Sequence, residues 1–172
     1  MNEKQKIEKA TAEGFLALYN VRFGTDFRFE YLADPPEPDV HCTNSKGQPL
    51  NLEITATEDR TGDIKALLGR SDSRSIEALE AHLERVQQGK EQPMFSSLSD
   101  EVSDNLVKRI QAKLQNSYGL VVALVVRDAS GVDWDWHFVV PALRARLNLS
   151  QTTFDRGVWI ISRTMDRLFQ II

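Results

Sequence analysis

Two short strand-like runs carry the residues whose types and spacing point to chemistry. Asp39 to Thr43 and Leu50 to Ala56 both alternate polar with apolar side chains, and Asn44-Ser45-Lys46-Gly47 between them is hairpin-turn chemistry. In the first run Val40 and Cys42 face one way and Asp39, His41 and Thr43 the other. In the second, Leu50, Leu52 and Ile54 oppose Asn51, Glu53 and Thr55. A three-residue loop Ser45-Lys46-Gly47, with Gly47 left-handed, pairs Asn44 with Gln48 and so predicts Asp39 directly opposite Glu53. Two carboxylates side by side on one polar face suit a divalent ion. Mg²⁺ prefers oxygen ligands and commonly binds through one or two carboxylates together with substrate phosphate and water. There it polarises a phosphoryl oxygen and helps generate hydroxide.

The charge distribution points the same way. From Asp26 to Asp63 nine acids stand against three bases, and from Ala142 onward five arginines (Arg144, Arg146, Arg156, Arg163, Arg167) stand against two acids. An acidic cluster with a basic segment elsewhere suits a metal site beside a phosphate-binding rim; the bland alternative is two solvated faces. The polar stretch from Thr57 to Ser75 reads as an excursion from the fold. It holds Arg60, Lys65, Arg70 and Arg74, which could close over a backbone phosphate, diluted by Asp59, Asp63 and Asp72.

The whole chain has 172 residues, 41% apolar and 27% charged, with a net charge of −4. That is an ordinary globular composition, long enough for one domain spanning 1–172, and it excludes collagen, coiled coil and low-complexity classes. Its acidity argues against a surface coated for indiscriminate nucleic-acid binding, not against a local basic groove. Cys42 is the one cysteine, so neither an intramolecular disulfide nor a four-cysteine zinc site can form, and a reducing compartment is expected. The charged N-terminus and the shortness of the longest apolar run, Leu120 to Val126, lead us to expect a cytoplasmic protein without a membrane partner.

Several elements must position the two carboxylates. Glu3 to Arg22 places Ile7, Ala10, Gly14, Phe15, Leu18 and Val21 at helical spacing, and Gly24 follows as a stop. Phe27 to Leu32 is an aromatic-rich strand, and Asp34-Pro35-Pro36-Glu37-Pro38 a rigid connection. Ile76 to Gln88 reads as a helix. A second begins near Ser97 or Ser99 and runs to about Asn116, with Val102, Leu106, Ile110 and Leu114 on its apolar stripe. Gly119 to Val126 is the strand of a sheet centre. Asp128 to Gly131 turns the chain into an alternating strand from Val132 to Val140, Pro141 starts a short helix to about Leu147, and Val158 to Ile161 is a further buried strand. Trp134 and Trp136 fall on one face of the alternating run, for packing or, less ordinarily, base stacking.

That order, with Pro38-Asp39 opening the second strand and Glu53-Ile54-Thr55 ending the third, resembles the PD-(D/E)XK nuclease-like (restriction endonuclease-like) superfamily over roughly Glu3 to Val126. The resemblance implies an α/β, three-layer restriction-endonuclease-like fold, a central mixed β-sheet flanked by helices. It also implies a nuclease that hydrolyses DNA with Mg²⁺ or Mn²⁺. Asp39 and Glu53 match the metal-binding carboxylates, and the main-chain carbonyl of Ile54 matches the position that often completes the coordination. Thr55 stands where the pattern has lysine, and threonine cannot supply a cation. A lysine from the helix before the central strand could replace it, Lys113 ahead of Lys108. Family members often add a glutamate from the first helix, for which Glu13 is the candidate and Glu8 the second. His41 could serve as an outer ligand. The missing motif lysine leaves a second reading, a nuclease-like fold without catalysis that serves as a nucleic-acid-binding or protein-interaction subunit, as a homodimer or beside a partner. A third is an unrelated α/β protein whose two carboxylates cap a hairpin and point apart.

Overall fold

The computed structural model describes residues 1–57, 88, 104, 106–119, 121–129, 135–148 and 152–172. The chain divides into two compact units, Met1–Thr57 together with Val107–Ile172, and Glu58–Leu106. Most of the second unit lies outside the described residues, and with it Arg60, Lys65, Arg70, Arg74 and the helix expected over 76–88.

The first unit is α/β, built on a six-stranded mixed open sheet. In chain order the elements are α1 (Glu3–Phe23), β1 (Arg28–Leu32), β2 (Val40–Thr43), β3 (Pro49–Ala56), α2 (helical over 107–114 within this unit), β4 (Val122–Arg127), α3 (Trp136–Arg146), β5 (Val158–Ile161) and β6 (Leu168–Gln170). The strands lie side by side in sequence order. β1, β2 and β3 pair antiparallel, β3, β4 and β5 parallel, and β6 returns antiparallel to β5. Val122 to Val126 of β4 are fully buried, as a continuous apolar run at a sheet centre requires. Among the described residues no helix is long and apolar enough to cross a membrane.

The ends of α1 follow from its sequence. The Asn2 side chain accepts from the Gln5 backbone N–H at 2.8 Å while the Gln5 side chain accepts from the Asn2 N–H at 3.0 Å, a reciprocal cap. Gly24 closes the helix in the left-handed conformation, with φ of 63°. Its inward face differs from the expected stripe. Ala12, Phe15, Leu16 and Tyr19 are buried against the sheet, whereas Val21 is 86% exposed and Ile7 is also exposed. Glu8 and Thr11 share the buried face. Thr11 can do so because its hydroxyl donates to the Ile7 carbonyl at 2.7 Å, and Glu8 because Lys4, one turn earlier, pairs with it. Gly14 lets the helix approach closely: a Cβ there would meet Met165 Sδ at 3.1 Å.

The hairpin has the expected register. Asn44 N–H donates to the Gln48 carbonyl, Gly47 is left-handed with φ of 72°, and Val40 pairs with Leu52. Carried one residue further, the register sets Asp39, at the bend just before β2, opposite Glu53.

Beyond β4 the expectation needs correction. Trp136 to Val140 begin a helix instead of ending a strand; 131–134, including Trp134, are outside the described residues. Asp135 caps that helix by accepting the His137 N–H at 3.1 Å, and the buried Trp136, Val140 and Leu143 stand four and three residues apart. Pro141 lies within the helix, not at its start. The Asp-Trp alternation just before the cap misleads, because it stops where the helix begins. Trp136 is core, its indole N–H donating to the buried Asp128 carboxylate at 3.1 Å.

The structure adds β6 to the elements expected from the sequence. Arg144, counted there toward a phosphate rim, instead donates to the carbonyls of Ile171 and Gln170 at 2.6 and 2.7 Å and so fixes the chain after β6. The same region depends on Gly157, whose φ is 88° and where a Cβ would lie 2.6 Å from the Ile172 carbonyl oxygen. Gly157→Ala is expected to cost about 2 kcal/mol, seen as a fall of roughly 4–8 °C in Tm by differential scanning calorimetry. An unchanged Tm would contradict this placement.

Candidate active site

Asp39 sits where β2 begins, and the backbone there divides its tasks. Its carbonyl accepts the Ala33 N–H at 3.0 Å on the β1 side, while its side chain turns to β3 and accepts the Ile54 N–H at 2.8 Å through Oδ2. β2 has no backbone partner left at this level, so the carboxylate satisfies a strand donor and is oriented by it. The N–H and C=O of one strand residue point to the same side. The Ile54 carbonyl therefore points to the side on which Asp39 lies, the position at which the resemblance implies a main-chain ligand.

Glu53 is 3% exposed, and its Oε1 receives the ammonium of Lys113 from α2. Burial pushes the Glu53 carboxyl above its ordinary value, and the Asp39 charge pushes it further. The hydrogen bonds and charge of Lys113 and the Tyr118 phenol pull it back only in part. For Lys113 burial works downward, but Glu53 outweighs it through hydrogen bond and charge, so the ammonium is held above the usual lysine value. Tyr118 is also raised, first by burial, with the Asn116 hydrogen bond opposing and Glu53 adding to the rise. Lys4 adds a second ammonium from the first turn of α1, 3.1 Å from Glu8 and 3.9 Å from Asp39. Its raised pKa comes first from the Glu8 hydrogen bond.

These groups share one cavity of about 600 Å³. Pro35 and Pro36 of the rigid connection line it, as do Lys4, Asp39, Glu53, Lys113, Tyr118 and the turn 115–117. The two carboxylates thus face common space, against the reading in which they cap a hairpin and point apart.

Of the residues singled out in the sequence, Asp39, Glu53, Ile54 and Lys113 come together. Glu13 does not line the cavity; it is exposed on α1, 3.8 Å from Lys9. Glu8, the second candidate, is buried and joined to the site through Lys4. Lys108 is exposed. His41 hydrogen-bonds Glu37 Oε2 at 2.9 Å and stacks on Tyr31 with ring centroids 4.6 Å apart. Thr55 pairs with Val126 and brings no cation. Sequence reasoning missed Lys4 and Tyr118. Lys4 had a signal, its spacing four residues before Glu8; Tyr118, in irregular chain after α2, had none.

The donor set fits a hard divalent cation. Mg²⁺ or Mn²⁺ asks for one or two carboxylates, with water and phosphate filling the rest. Asp39 and Glu53, with the Ile54 carbonyl directed to the same side, offer that beside an open cavity. Among the described residues no group of three or more His, Cys, Asp and Glu converges. Comparisons with protein-family models, with curated proteins and with solved structures return no match.

Proposed function

We propose that this chain is a divalent-metal-dependent nuclease that hydrolyses DNA phosphodiester bonds, with a three-layer fold of the PD-(D/E)XK nuclease-like kind. The observation that carries the reading is the Lys113 ammonium on Glu53, beside Asp39. A cation thereby reaches the two carboxylates from α2, although Thr55 holds the motif's lysine position. The sheet order and the mixed strand directions also support it.

Asp39 and Glu53 would hold the ion, with the Ile54 carbonyl completing the protein's share. Held there, such an ion would supply Lewis-acid polarisation of a phosphoryl oxygen and a more acidic water near neutral pH. The chain's own groups do the rest. Ile54 N–H fixes the Asp39 carboxylate. Lys113 presents positive charge where charge builds on the phosphoryl group, in a cavity where a fixed ammonium is worth more than in water. Lys4, whose side chain is 72% exposed, contributes little to stability and more to drawing a polyanion toward the Asp39 side.

Cleavage of single- and double-stranded DNA followed through a Mg²⁺ titration tests the reading. Wild type should cleave, and Asp39→Ala with Glu53→Ala should lose about 10³-fold or more of the rate. Wild-type protein indistinguishable from that double variant would overturn it. DNA binding that survives without any cleavage would move the assignment to a binding subunit.

A further inference from the structure

Lys4 stands between two carboxylates. Its ammonium lies 3.1 Å from Glu8 Oε1 and 3.9 Å from Asp39 Oδ1, and it lines the cavity that Asp39 and Glu53 share. Glu8, one turn further along α1, is 7% exposed, and a charge at that depth needs a partner. Lys4 supplies one and is tethered by it. The two oxygens of Asp39 are used differently. Oδ2 accepts the Ile54 N–H at 2.8 Å, whereas Oδ1 is the oxygen turned to Lys4.

Each candidate ligand is thus matched with an ammonium, Glu53 with Lys113 and Asp39 with Lys4. The Lys113 side chain is 32% exposed and that of Lys4 72%, so the pair on the Asp39 side is the looser and the more easily displaced. We propose that Lys4 competes with a divalent cation for Asp39 Oδ1, and that buried Glu8 holds the ammonium when the cation takes that oxygen. The inference rests on the metal-binding reading of Asp39 and Glu53. It makes metal affinity a balance set in the first turns of α1. Lys4 weakens it, and Glu8 restores it in part by drawing the ammonium off Asp39. Glu8 acts here through Lys4 and not as a ligand.

Glutamine removes either charge and keeps a side chain that hydrogen-bonds, so α1 should stay folded, which circular dichroism checks. Mn²⁺ binding to the full chain at low ionic strength, read from the loss of the free-ion electron paramagnetic resonance signal, is compared for wild type, Lys4→Gln, Glu8→Gln, both together and Lys9→Gln. Lys4→Gln should bind about 3- to 5-fold more tightly, the worth of an exposed ion pair. Glu8→Gln leaves the ammonium to Asp39 alone and should weaken binding about 2- to 3-fold, but far less in the Lys4→Gln background, because its effect runs through Lys4. Lys9→Gln takes an equal charge from α1 where Lys9 pairs with Glu13 and does not line the cavity, and should change little. Lys4→Gln binding like wild type, a gain no larger than that of Lys9→Gln, or a Glu8→Gln loss of the same size in both backgrounds would overturn the inference while the metal reading stands. Wild type and Lys4→Gln both failing to bind Mn²⁺ would overturn both.

Discussion

Lys113→Met is expected to lower Mg²⁺-dependent DNA cleavage by roughly 10²–10³-fold, the loss typical when one preorganised charge-stabilising donor is removed. Methionine keeps much of the stem's volume and helix propensity, so α2 should stay in place while the ammonium disappears. The loss should fall on kcat more than on KM, because a charge that matters most in the transition state is being removed. β3 offers a direct control. Thr55 stands two residues after Glu53 on the same face of the strand, so a lysine there projects toward the same side of the sheet. Lys113→Met with Thr55→Lys should recover at least part of the lost rate. If Lys113→Met cleaves like wild type in a single-turnover assay, the ammonium on Glu53 is a structural ion pair and the catalytic role assigned to it is wrong.

The strand that carries Glu53 and Thr55 is also where the amino-acid pattern is most legible. Two independent rules converge on its hairpin. Turn chemistry at Asn44 to Gly47 sets the pairing, and period-two alternation then determines which side chains share a face. The opposition of Asp39 and Glu53 follows from local arithmetic alone. Lys113 is reachable for a similar reason, since its place beside the Ile110 and Leu114 stripe limits where its stem can go. The end of α1 is written in Gly24, but its buried face is not. Glu8 lies inward because Lys4 neutralises it, and Val21 lies outward although it is apolar. Burial is decided by what the helix meets, and a stripe of apolar letters does not say which neighbour is there. The run before α3 misleads through competition between two periods. Asp135 serves equally as an alternating polar residue and as a helix cap, and the cap prevails because Trp136, Val140 and Leu143 can then be buried together. Tyr118 sits in chain with no period at all, so only the fold brings it into the cavity that Glu53 lines.

Glu53→Gln is expected to change the pH dependence of stability in a direction set by the raised carboxyl. Glu53 in the folded protein binds its proton more tightly than in the unfolded chain, where its ordinary value of 4.5 applies. Below pH 4.5 both states are protonated and this favourable difference is fully present. As pH rises through the folded value the proton leaves, and the advantage is lost. Each unit by which the folded value exceeds the unfolded one amounts to about 1.4 kcal/mol. Wild-type Tm should therefore carry a downward contribution above pH 4.5 that Glu53→Gln lacks, and the Tm of the variant relative to wild type should climb between acid and neutral pH. Lys113→Met should move the other way. Without the ammonium that pulls Glu53 down, the carboxyl rises further, the loss extends to higher pH, and at pH 8 the variant should be less stable by about 1–3 kcal/mol. Lys113 itself acts in the alkaline range: held above 10.5, it contributes stability that is complete below that value and disappears as pH rises through the folded one. Thermal unfolding of the three proteins from pH 4 to pH 11 separates these contributions. A Glu53→Gln difference that is flat between acid and neutral pH would mean the carboxyl is not raised, and the burial argument for the site would fail with it.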